Sequence, residues 1–246
     1  MALPRKLTVA GTAPIPRWLA GQDRPPPGWV LVTAGLSPVL GIAGWLAAGV
    51  LQPTSYSPLR DTVSALAGQG GTQPWIVTSA LFAVGGCYLA TAVGLTGLRF
   101  PARILLAVAG LCSIGIAASP EPAGGSTAQH LAWTALGAAT ITVWPAFTVR
   151  HGPGQPLILT ACGAAVVTAV FVALLGWLLL ETRDGTLLGL SERVMSAVQT
   201  SWPFIVALAM RQAAAGSPLE PSTARVTAAA LPGPRSPGLP SQGSHR

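Results

Sequence analysis

Residues 157–180 read LILTACGAAVVTAVFVALLGWLLL, a run with no Asp, Glu, Lys, Arg, Asn or Gln. A helix needs about 20 mostly apolar residues to cross the hydrocarbon of a bilayer, and this run supplies them. Outward from it, five further stretches share the pattern: Trp29–Leu51, Trp75–Leu98, Ile104–Ser119, Gln129–Val149 and Val194–Met210. The Ile104–Ser119 stretch is short. None of the six carries a charged residue in its interior, where a single charge costs about 2.5–3.5 kcal/mol on insertion. The composition agrees. Of 246 residues, 50% are hydrophobic and 9% are charged, against about 25% charged in an ordinary soluble domain. Mean hydropathy is +0.56. So few charges could not cover a soluble surface, and the apolar content excludes a chain disordered throughout. Three Cys exclude a disulfide scaffold. The expected fold is all-α: a polytopic transmembrane bundle of six spans.

Orientation follows from Lys and Arg in the connections. Arg5, Lys6, Arg17, Arg24, Arg99, Arg103, Arg150, Arg211, Arg225, Arg235 and Arg246 fall on one side of such a bundle, and only Arg60, Arg183 and Arg193 on the other. Of the acids, Asp23 and Glu220 join the basic side, while Asp61, Glu121, Glu181, Asp184 and Glu192 lie opposite. Both termini are therefore expected in the cytoplasm of a cell whose plasma membrane holds the chain. The net charge of +7 reflects this asymmetry. The arginines are scattered, where nucleic-acid binding asks for a concentrated basic face, so no nucleic-acid partner is expected. The first span could be taken for a secretory signal. It is longer than a typical signal core and follows a Pro- and Arg-containing segment, so it reads as an uncleaved helix.

Residues 1–28, with Pro14, Pro16 and Pro25-Pro26-Pro27, are expected to be disordered, as is the Ala-, Gly-, Ser- and Pro-rich tail 212–246. The folded domain is then 29–211. Tight connections at 99–103 and 150–156 force antiparallel neighbours, and the longer connections Gln52–Pro74, Pro120–Ala128 and Glu181–Arg193 gather on the outer side. Small residues recur at four-residue spacing: Gly86, Ala90 and Gly94; Ala109, Ser113 and Ala117; Ala161, Ala165 and Ala169. Such stripes let helices approach closely in lipid, either within the bundle or as a homodimer face. Pro38, Pro145 and Pro203 lie inside spans and are expected to bend them.

The first outer connection holds the sequence Ser57-Pro58-Leu59-Arg60-Asp61-Thr62-Val63-Ser64-Ala65-Leu66-Ala67-Gly68. Ser57 suits an N-cap, Pro58 the first helical position and Gly68 the C′ position. An amphipathic helix of about ten residues fits between them. Its apolar face would be Leu59, Val63 and Leu66, and its polar flank Arg60, Asp61 and Ser64. Ser126 and Gln129 have capping-box spacing, which places His130 in the first turn of the fourth span. Glu121, Glu192 and Arg193 lie on the same side. Opposite charges are therefore available there: Arg60 for Glu192 or Glu121, and Asp61 for Arg193 or His130. Such a cluster could bind a metal, relay protons or hold a polar head group, or it could be a solvated surface.

Tyr56, the run Arg60-Asp61-Thr62-Val63-Ser64-Ala65-Leu66-Ala67, and Trp75 resemble the signature of the domain of unknown function 998 family. His130, Glu192-Arg193 and Trp202-Pro203 fit the same pattern. The similarity covers about residues 30–211. It implies a prokaryotic membrane protein of six helices, and no activity comes with it.

Several chemistries are absent from the pattern. Cys87, Cys112 and Cys162 lie singly within spans and read as packing residues. No phosphate loop, H-E-x-x-H motif or nucleophile elbow appears. With one histidine near a span, paired haem ligation is not available. No cofactor and no metal are expected. The leading expectation is a non-catalytic cell-envelope protein that binds membrane lipids, or a membrane-protein partner, through an outer polar cap. Its members would be Arg60, Asp61, Ser64, Glu121, His130, Glu192 and Arg193. The competitors are an enzyme acting on a lipid head group, with Asp61, His130 and Glu192 as acid and base, and a small-solute transporter.

Overall fold

The structure is a computed structural model and describes residues 25–123, 125–152 and 154–216, with Asp184 by its backbone only. Most of the two expected tails lies outside the described residues. Among those residues the secondary structure is wholly helical: α1 (Gly28–Val50), α2 (Val63–Ala67), α3 (Pro74–Gly94), α4 (Phe100–Ala118), α5 (Ala128–Phe147), a 3-10 turn at Leu157–Leu159, α6 (Ala161–Asp184) and α7 (Leu188–Gly216). Four helices are long and apolar enough to cross a membrane: α1, α3, α4 and the Ala161–Arg183 part of α6. The apolar run at 157–180 is thus split. Thr160 caps α6 by accepting the Gly163 N–H, and Leu157–Leu159 turn ahead of it. At the other end α7 continues to Gly216, past the expected boundary at 211. Pro38, Pro145 and Pro203 all lie inside continuous helices.

The six long helices close a ring. Each packs on the next in the order α1, α3, α4, α5, α6 and α7, and α7 returns to α1. Tight connections make the successive neighbours. Gly152 and Gly154 turn the α5–α6 connection with φ of 128° and 72°, a left-handed region that glycine enters without strain. Inside the ring, Val30 and Ala34 of α1, Tyr88 of α3, Leu106 of α4, Trp144 of α5 and Val206 of α7 share one buried core. Polar side chains cross-link it. Thr33 meets Thr91 at 2.9 Å, Ser113 donates to the Leu81 carbonyl at 2.8 Å, and Gln199 donates to Thr142 at 3.0 Å. At the far end from the long connections, Arg103 donates to the Ala92 and Val93 carbonyls, meeting acceptors left open at the end of α3.

Small residues set the α3–α4 distance, one position away from the expected stripe. Gly86 faces open space. Gly85 is buried, and a Cβ there would lie 2.6 Å from the Gly110 carbonyl oxygen, while one on Gly110 would lie 2.8 Å from the Gly85 oxygen. Two backbones therefore touch. Ala109, Ser113 and Ala117 are buried within the bundle as expected. Ala161, Ala165 and Ala169 are exposed on α6. Cys112 is buried, but Cys162 is exposed on α6 rather than serving as a buried packing residue.

The Gly85–Gly110 contact has a measurable consequence. Gly110→Val should destabilise the bundle by about 1–3 kcal/mol, because rigid backbone, not a movable side chain, meets the new atoms. Gly86→Val should leave the detergent melting temperature unchanged. Equal behaviour of the two variants would refute this packing.

Candidate functional site: the polar cap

Thr62 and α7 together decide the shape of the first long connection. The expected ten-residue helix does not form; only Val63–Ala67 is helical. A continuous helix would use the carbonyls of residues 58, 59 and 61 as acceptors four residues on. Arg193 Nη1 takes the Pro58 and Asp61 carbonyls, each at 2.8 Å, together with that of Gly189. The Leu190 N–H takes the Leu59 carbonyl at 3.1 Å. The freed N–H groups find other partners: Val63 donates to Glu192 Oε2 at 2.7 Å, and Ala65 to Thr62 Oγ1 at 3.0 Å. Thr62, not Ser57, is the N-cap. Leu59 consequently points outward and is 48% exposed, while Leu66 seats α2 with Ala67, Ala48 and Val77.

Arg193 is buried, and both of its terminal nitrogens donate hydrogen bonds. Beyond the three carbonyls, its Nη2 donates to the Tyr56 hydroxyl. The Trp45 and Tyr56 rings lie 5.6 and 6.0 Å from its guanidinium carbon, within cation–π range. Burial raises the Tyr56 phenol above its usual pKa, against the opposing pull of Arg193, so it stays neutral. Gly189 makes the approach possible, since a Cβ there would lie 2.4 Å from the Asp61 oxygen.

The expected ion pairs do not form. Asp61 turns its carboxylate back onto the Ser57 N–H at 2.7 Å, and Arg193 meets its carbonyl instead. Arg60 is exposed and its guanidinium has no acceptor among the described residues. Glu192 is held by a backbone amide, where Arg60 had been expected. Burial raises the Glu192 carboxyl above the usual range; the Val63 amide and Arg193 pull it down, and Glu121 pushes it up.

A second group lies beside the first. Thr127, rather than Ser126, caps α5 by accepting the His130 N–H. Ser126 instead donates its hydroxyl to Glu121. The His130 ring is 2% exposed. Its Nδ1 lies 2.8 Å from the Ser119 carbonyl, an acceptor only, so Nδ1 carries the proton in the neutral ring. The other nitrogen, Nε2, then accepts from Ser64 Oγ at 3.3 Å and lies 3.5 Å from Glu121 Oε1. The cap therefore brings together Ser64, Glu121 and His130 in one place, and Asp61, Glu192 and Arg193 in another along the same loop. Arg60 stands apart. Sequence reasoning missed Trp45, Tyr56 and Gly189 as cap residues. Tyr56 had a signal in the signature it shares with Arg60–Ala67; Gly189 had none. Among the described residues no group of three or more His, Cys, Asp or Glu could hold a metal.

Long apolar helices closed in a ring, with buried ionic groups confined to one loop-bearing end, define a helical membrane protein with a polar cap. The family model described as a protein of unknown function (DUF998) matches residues 36–209, and the chain belongs to that family. No curated protein and no solved structure matches it.

Two measurements check the cap. Hydrogen bonds to charged groups are each worth about 1.5–3 kcal/mol, so Arg193→Ala should cost several kcal/mol of stability in detergent, while Arg60→Ala should cost nothing measurable. Similar melting temperatures for the two would contradict the assignment. The Glu192 carboxyl holds its proton to higher pH in the folded chain than in the unfolded one. Its contribution is full below the ordinary value of 4.5 and is lost as pH rises through the raised value. The melting temperature should accordingly fall as pH is raised above 4.5, and Glu192→Gln should flatten that dependence.

Proposed function

We propose that the chain is a six-span protein of a prokaryotic plasma membrane, with both termini in the cytoplasm, and that its outer cap holds the phosphate-bearing head group of a membrane lipid. The ring supports six spans: α5 and α7 lie between the four strongly apolar helices, so they cross the same slab. The split of Lys and Arg between the connections supports the orientation.

The observation that carries the lipid reading is Arg60. Every other charged side chain in the first connection or at the start of α7 is used to hold the cap together. Arg60 alone is exposed without an acceptor among the described residues, and exposed Leu59 adjoins it. A guanidinium suits phosphate, and a neighbouring leucine suits the boundary between head groups and acyl chains. The pinned loop beneath it means that little conformational freedom is lost on binding.

Native mass spectrometry of protein released from nanodiscs containing phosphatidylglycerol tests this. The wild-type chain should retain the anionic lipid, and Arg60→Glu should lose most of it at an unchanged melting temperature. Equal retention by both would sink the lipid reading and leave a protein partner as the occupant of the cap.

A further inference from the structure

Ser64 and His130 stand 66 residues apart in sequence and belong to different helices, yet the fold brings Ser64 Oγ to 3.3 Å from His130 Nε2. Ser64 does not bond back to its own helix; His130 is the partner of its hydroxyl. The histidine is fixed from behind, where Nδ1–H donates to the Ser119 carbonyl at 2.8 Å. That bond sets the ring plane and leaves the Nε2 lone pair aimed at the hydroxyl. A nucleophile, a base within reach of it and a group that orients the base are the three parts of an activated serine. Here a backbone carbonyl is the orienting group. Glu121, 3.5 Å from Nε2, supplies negative charge where positive charge appears when the imidazole is protonated.

We propose that Ser64 is a nucleophile and His130 its general base, and that the pair transfers the acyl group of a lipid carboxylic ester. Ser64 Oγ attacks the ester carbonyl carbon and its proton passes to His130 Nε2. The ester C–O bond breaks, and the departing alkoxide takes that proton and leaves as an alcohol. An acyl–Ser64 ester remains. Water, deprotonated by the same nitrogen, attacks this ester; the acid is released and the proton returns to Ser64. No oxidant, metal or cofactor enters the balance. The substrate class follows from depth. His130 lies in the first turn of α5, where apolar helix gives way to polar connection, and ester carbonyls of acyl lipids lie at that boundary. Ser64 is half-buried, so it is within reach from outside while its base is covered. The choice of a lipid rests on the head-group reading above; the activation of Ser64 does not.

An alkyl fluorophosphonate tests the activation directly, because it labels activated serines with loss of fluoride. The full-length protein in detergent should be labelled once, and peptide mapping should place the label on Ser64. Ser64→Ala should abolish the label. His130→Gln keeps a donor for the Ser119 carbonyl but takes no proton at that position, and should slow labelling about 100-fold, within the usual range for a general base. Size-exclusion elution and melting temperature report folding of each variant; should His130→Gln fail to fold, the wild-type map and Ser64→Ala decide. Labelling no faster than in heat-denatured protein, labelling at another serine, or an unchanged rate in folded His130→Gln would each overturn the proposal. Labelled Ser64 with no phosphatidylglycerol retention would remove the lipid substrate and keep the activated serine. Retention without labelling would do the reverse.

Discussion

A guanidinium taken out of water must have its donors met by the protein, and at Arg193 the protein does this with main chain. Three carbonyls and the Tyr56 hydroxyl converge on it, with two aromatic rings beside it. The cap depends on that convergence. By taking the Pro58 and Asp61 carbonyls, Arg193 denies them to a helix. The amides thereby freed turn to Glu192 and Thr62, and the short helix that results presents Ser64 to His130. One side chain on α7 thus sets the conformation of a loop more than 130 residues earlier.

This arrangement also explains what was legible in the sequence. The long helices were, because twenty apolar residues admit few structures in lipid and the signal is local. Their ends were less so: Thr160 and Thr127 compete with nearby cap residues, and the choice is made by which hydroxyl reaches an amide. The short cap helix was misjudged for a different reason. Ser57-Pro58 and Gly68 are good local signals, but the carbonyls they would organise are claimed by Arg193, and no local pattern reports a competitor so far along the chain. Seven polar residues of this region were legible as a group, but not Trp45, Tyr56 or Gly189, which complete the surroundings of Arg193. The pairing of the seven was not legible either, because opposite charges invite ion pairs while backbone groups, which have no letter in the sequence, took the partners. Ser64 and His130 could be placed on the same side of the membrane; only the fold brings them into contact.

The ring and the cap follow different physical rules. Within the ring, apolar burial distinguishes poorly between helix and lipid, so close packing and a few hydroxyl bonds set the geometry. Gly85 against Gly110 and Thr33 against Thr91 are of this kind. In the cap, water is close by and satisfaction of polar groups decides. α6 stands between the two. It completes the ring, yet few of its side chains are covered: Ala164 and Phe171 are buried, and most of the rest of its apolar surface is left open.

Closure of the ring has a consequence for synthesis. Chains are inserted from the N-terminus, so α1 and the connection after it exist well before α7. Until α7 arrives, the carbonyls of Pro58, Leu59 and Asp61 have none of the partners that hold them in the finished fold. The first loop therefore waits for α7, and Ser64 and His130 can both be present before the loop ahead of Ser64 is set. A chain halted ahead of α7 would carry every residue of that pair with nothing to latch them in place. α7 thus acts as a latch: the cap takes its shape only in a molecule translated through residues 189–193.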